Sequence, residues 1–116
     1  MALPLENRLK LAKDFRMVSR NQLSCKEGKL LLKAAVSKKQ VSRFGIVVSK
    51  AVAKKAAERN HIRRLLVEAI AANKELLRSS FDIVLVALPG FSLQNQKEAN
   101  EYIKQLFRKV SLKISS

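Results

Sequence analysis

The stretch from Lys50 to Glu68, K-A-V-A-K-K-A-A-E-R-N-H-I-R-R-L-L-V-E, constrains the fold more than any other part of the chain. At about 100° per residue, Ile62, Leu65, Leu66, Ala69 and Ile70 recur at spacings of three and four and share one side of a helix. Asn60, Arg63, Arg64 and Val67 share the opposite side, at the same helical spacing. A core can take the first face and not the second. The pattern predicts a long helix that begins between Val52 and Ala56, without a strong N-cap, and runs to about Leu77. Arg59 lies at the edge of the polar stripe, with Lys54 and Lys55 one turn earlier.

A guanidinium is always charged, and its planar fork of donors fits phosphate oxygens. On an isolated helix such a face is ordinarily just solvated, so the rest of the chain must decide. Charge is lopsided: 24 Lys plus Arg stand against 9 Asp plus Glu, a net +15 on 116 residues. A charge of that size on one small domain costs stability by self-repulsion and is explained by a polyanionic partner, nucleic acid foremost. From Gly28 to Ala57 every charged residue is basic: Lys29, Lys33, Lys38, Lys39, Arg43, Lys50, Lys54 and Lys55.

The apolar fraction of 47% argues for a folded chain, and the length for a single domain over residues 1–116, which the basic charge suits to binding RNA or another polyanion. The one cysteine, Cys25, excludes an internal disulfide and a cysteine zinc site and fits a reducing, cytoplasmic setting. It reads as a small strand or loop residue. No secretory signal is expected, and the run Ile83 to Pro89 is too short to span a membrane, so no membrane association is expected.

Along the chain, a short helix is expected from about Ala12 to Arg20 with Phe15 facing inward. Leu23 to Lys26 is a weak strand signal. Lys29 to Val36 and Arg43 to Ser49 are stronger, and the short polar connection Ser37-Lys38-Lys39-Gln40 predicts that these two pair antiparallel. After the long helix, Phe81 to Leu88 is a near-continuous apolar run, as in a strand buried on both faces. Asn95 followed by Glu98 resembles a capping box. The last helix then carries Ala99, Tyr102, Ile103, Leu106, Phe107 and Val110 at helical spacing, a docking face in which Tyr102 and Phe107 read as core. The order α-β-β-β-α-β-α predicts an α+β sandwich with a four-stranded mixed sheet. The strands flanking the long helix can lie parallel, one face of the sheet covered and the other partly open beside the first helix.

No catalytic constellation is evident. His61 flanks the basic stripe; a general base would need an orienting carboxylate and a metal ligand companions, while Glu58 and Glu68 read as helical partners of neighbouring arginines, so an RNA contact suits His61 better than chemistry. No phosphate-binding glycine motif or metal-ligand spacing is found. If the chain serves an enzyme, the reacting groups come from elsewhere.

The segment R-F-G-I-V-V-S-K-A-V-A-K-K-A-A-E-R-N-H-I-R-R-L, Arg43 to Leu65, resembles the signature region of the protein subunit of bacterial ribonuclease P. Asn7-Arg8-Leu9-Lys10 followed by Asp14-Phe15 resembles that family's N-terminal R-L…D-F, and Phe81 to Gly90 its fourth strand. The resemblance implies a compact sandwich shared with a domain of a ribosomal protein, with an unusual left-handed β-α-β crossover. It implies a subunit of a ribonucleoprotein endoribonuclease that matures the 5′ ends of transfer RNA. Catalysis would lie on the RNA subunit, with Mg²⁺ held mainly by that RNA and none by the protein. The implied partners are ribonuclease P RNA and precursor transfer RNA, with no protein partner required.

By position, the resemblance assigns Lys50, Lys54, Lys55, Arg59, Asn60, His61, Arg63 and Arg64 to the RNA subunit. It assigns Phe15, Arg8, Lys10, Lys33 and Phe44 to the substrate's 5′ leader, in a cleft of the kind that combines backbone electrostatics with stacking. Five positions depart from the pattern, one of them Lys33, near where relatives often carry an aromatic. Ala51 stands at the second Lys of S-K-K, His61 at the second Arg of R-N-R, and Val67 at the last basic residue of the signature. Leu88 stands where a basic residue is common. The alternative reading is a non-catalytic ribosomal or general RNA-binding protein of related fold. A DNA-recognition helix is weaker, because no helix-turn-helix spacing or dimer zipper is present.

Overall fold

The computed structural model describes residues 23–37, 41–77 and 79–115. The expected first helix, with Phe15, and the expected contacts Arg8 and Lys10 lie outside the described residues. Four strands, β1 (Leu23–Glu27), β2 (Leu30–Val36), β3 (Arg43–Val47) and β4 (Phe81–Ala87), form one sheet. Among the described residues two helices, α1 (Ala56–Asn73) and α2 (Gln96–Ser115), flank β4 in the chain, and the 3₁₀ turn Lys74–Leu76 extends α1 close to the predicted end.

The weakest strand signal proves to be half of a hairpin. Glu27 pairs with Leu30, so Gly28 and Lys29 form a two-residue loop, and Gly28 takes φ 56° at its first central position. A left-handed residue there gives the turn a twist that matches the strands. A Cβ on Gly28 would also meet the Tyr102 ring at 3.3 Å.

The sheet order β1-β2-β4-β3 corrects the expected pairing of β2 with β3. β4 lies between them, antiparallel to β2 and parallel to β3. The physical reason is burial. β4 is apolar on both faces and takes an interior position, while β3 carries Arg43 and an exposed Val47 and lies at the edge. A short connection suggests antiparallel neighbours, but the crossover through α1 returns β4 to the inner side of β3. The parallel pairing of the strands flanking α1 is as expected.

One face of the sheet is covered. Leu30, Leu32, Ala34, Phe44, Ile83 and Leu85 meet Ile62, Leu66, Ala69 and Ile70 of α1 and Ile103, Leu106, Phe107 and Val110 of α2 in one cluster. The predicted inner faces of both helices are therefore the observed ones. Asn95 Oδ1 accepts from the Glu98 N–H at 2.9 Å, which starts α2 as its capping motif predicts. Gln96 Nε2 donates to the Leu65 carbonyl at 2.9 Å and ties the start of α2 to the middle of α1.

Candidate nucleic-acid interface

The polar face of α1 begins in the loop that leads out of β3. Val52 and Ala53 donate their N–H groups to the Ser49 carbonyl at 3.0 and 3.4 Å, which folds residues 49–53 into a turn. Lys55 occupies the N-cap position with extended backbone and no side-chain cap. Two arginines hold this loop from the helix side. Arg59 Nη1 donates to the carbonyls of Ala53 at 3.0 Å and Lys54 at 2.8 Å. Arg63 Nη2 donates to the Val48 carbonyl at 3.3 Å, and its Nη1 donates to Asn60 Oδ1 at 2.7 Å. Both arginines are half-buried, while Lys50, Lys54, Lys55, Asn60, His61 and Arg64 are exposed.

The predicted set is thus brought together, and it divides by role. Arg59 and Arg63 fix the geometry and keep spare donors, since a guanidinium has five N–H groups. The exposed cations project from a loop already held in shape. Such preorganisation lowers the ordering cost of meeting a polyanion. Val67, the fourth member of the stripe, is half-buried and packs against the core, so the polar face ends at Arg64.

Of the residues expected to face the leader, the two described, Lys33 and Phe44, lie on opposite faces of the sheet. Lys33 lies on the sheet face turned away from the helices, in the register row Ser24, Lys33, Val84, Gly45. Phe44 lies on the covered face, 3% exposed, with its ring stacked on Phe107 at 6.0 Å between centroids. The expectation that Phe44 lines a leader cleft is corrected: strand alternation points it into the core beside Ile83, its in-register partner.

Two features of the far face were not foreseen. Lys26 shares that face with Lys33, because Lys26 pairs with Leu31. Only the hairpin register reveals this. Arg43 and Asp82, paired in register, form a two-pronged ion pair, Nε to Oδ1 at 2.9 Å and Nη2 to Oδ2 at 2.7 Å. Arg43 therefore contributes little free charge, although it sits in the acid-free stretch. Among the described residues, no three His, Cys, Asp or Glu side chains gather as a metal-ligand group, and no helix is long and apolar enough to cross a membrane.

A family model described as Ribonuclease P matches residues 3–111. The chain belongs to the ribonuclease P protein family. Among its relatives, the ribonuclease P protein component of Clostridioides difficile is 35% identical over 107 residues, covering 91% of this chain and 93% of that one. That of Clostridium kluyveri is 31% identical over 107 residues, covering 90% and 95%. The solved RNase P protein of Thermotoga maritima superposes with a TM-score of 0.75 at 26% identity, covering 88% of this chain and 96% of that one. The Staphylococcus aureus RNase P protein gives 0.76 at 22% identity, covering 95% of each, and supports the fold. The Arg43–Leu65 signature, on which the resemblance was first drawn, therefore lies in β3, its loop and α1 of a ribonuclease P protein.

Proposed function

We propose that this chain binds the RNA subunit of ribonuclease P through the β3–α1 loop and the polar face of α1, and that it contacts the 5′ leader of precursor transfer RNA. The observation that carries this reading is the pinned loop. Arg59 and Arg63 hold it to α1, and it presents Lys54, Lys55, Asn60 and Arg64 on a face the core does not use. Lys33 and Lys26, with the ion-paired Arg43, are the described cations on the sheet face that suits the leader. Cleavage belongs to the RNA subunit, which holds Mg²⁺. A single, half-buried thiol suits work in the cytoplasm.

The test is reconstitution with the ribonuclease P RNA of the same organism at low Mg²⁺, following removal of the leader from precursor transfer RNA. Stimulation that saturates with protein is the expected outcome. No stimulation at any ratio of protein to RNA rejects the reading.

A further inference from the structure

Beside the basic face, α1 and the segment after β4 enclose a cleft of about 400 Å³. Ile62, Phe91 and Leu93 give it buried apolar walls, and exposed Ala57 lines it from α1. Glu58, His61 and Ser92 add polar groups. The volume falls in the range of small-ligand sites, about 300–1,000 Å³. The wall is rigid. The Phe91 ring meets Tyr102 edge-on at 5.3 Å, and its N–H donates to the Leu88 carbonyl at 2.9 Å. Gly90, at φ 94°, makes the turn that delivers it.

Apolar walls with a few polar groups suit a flat heteroaromatic ring, whose faces need van der Waals contact and whose edge needs donors and acceptors. The cleft does not suit a phosphate, because the Glu58 carboxylate repels it. Phosphates have their own partners next door in exposed Lys54 and Lys55, which directly follow the lining residue Ala53 in the chain. We infer that this cleft receives one unstacked base of the RNA subunit while Lys54 and Lys55 hold the adjoining phosphates. A carboxylate only accepts, so Glu58 favours the amino groups of guanine, adenine or cytosine over uracil, whose one N3–H sits between two carbonyl oxygens that the carboxylate repels. The inference rests on the proposed ribonuclease P role and adds a base pocket to it.

Filling the cleft tests it. Ala57→Leu occupies the space from α1, Ser92→Leu from the opposite wall, and Ala57→Ser leaves it empty. Dimethyl sulfate and kethoxal probe the base edges of the RNA subunit with and without each protein. The wild type and Ala57→Ser are expected to protect one unpaired base. Either leucine variant, folded by its thermal melt, is expected to expose that base and raise Kd about tenfold, the loss of one base contact. The salt dependence should not change, because no phosphate contact is removed. Identical protections and Kd for a folded leucine variant overturn the base pocket while leaving the proposed role intact. Protection that appears on precursor transfer RNA instead of the RNA subunit also overturns it. A wild-type protein that fails to bind the RNA subunit overturns both.

Discussion

Arg59 commits one guanidinium nitrogen to two carbonyl oxygens of the loop that precedes its helix. Its loss therefore acts on shape as well as on charge. Arg59→Ala is expected to cost about 1–2 kcal/mol, the scale of charge-assisted hydrogen bonds at a half-exposed site, and to lower Tm by several degrees. Arg59→Lys should restore the charge without the fork, so RNA affinity recovers less than a charge count implies. Calorimetry and RNA titration on the two variants check both parts. Cys25 makes a different residue-scale case. Burial pushes its thiol up from the ordinary value, and Lys113 and Lys109 pull it partly back. Its Sγ lies 3.8 Å from the Leu106 carbonyl. The unfolded chain ionises first as pH rises, so this group leaves stability untouched at neutral pH and subtracts from it once pH passes the ordinary thiol value. Alkylation by iodoacetamide at mildly alkaline pH should be slower than for a free thiol. Equal rates would show that the native thiol is not held protonated.

At the level of elements, the two arginines in the middle of α1 should separate. Arg64 is exposed and bonds no neighbour in the loop, so Arg64→Ala should weaken RNA binding and reduce the salt slope by about one phosphate with no change in Tm. Arg63→Ala should do the same and also lower Tm, because the Val48 carbonyl and Asn60 lose a donor. Equal melting curves for the two variants would refute that division. Across the layers, Phe44 joins β3 to α2 through Phe107. Phe44→Ala is expected to cost about 3–5 kcal/mol by leaving a cavity, read as a shift in urea midpoint. Any fall in leader binding should track the unfolded fraction. These elements also show what the chain makes legible. The inner faces of α1 and α2 follow from local periodicity, and both were readable. The neighbours of β4 depend on a crossover of more than thirty residues that no local pattern records. Phe44's face was unreadable because β3, with Phe44, Ile46 and Val47 in succession around Gly45, lacks clean alternation. The basic stripe could be located by spacing, but not which of its arginines bind the loop.

For the whole molecule, a net charge of +15 makes two equilibria respond to salt with opposite sign. Screening relieves repulsion within the free protein and so stabilises it, while the same ions compete with the protein for RNA phosphates. The departures from the family pattern show where that balance can be moved. Val67 packs against the core, and Leu88 is half-buried with its N–H on the Lys29 carbonyl at 2.9 Å. A lysine at either would bury charge. Ala51 is exposed in the turn between Lys50 and Val52, so a lysine there meets only solvent or RNA. Ala51→Lys is therefore expected to tighten binding to the RNA subunit at low salt. The slope of log K against log salt should steepen by roughly 0.7–0.9, one further phosphate contact. The free protein should melt slightly lower at low salt, from added repulsion, and match the wild type at high salt. Salt-dependent titrations beside salt-dependent melts measure both. An unchanged slope with tighter binding would place Ala51 away from the phosphates and move the electrostatic footprint toward Arg64.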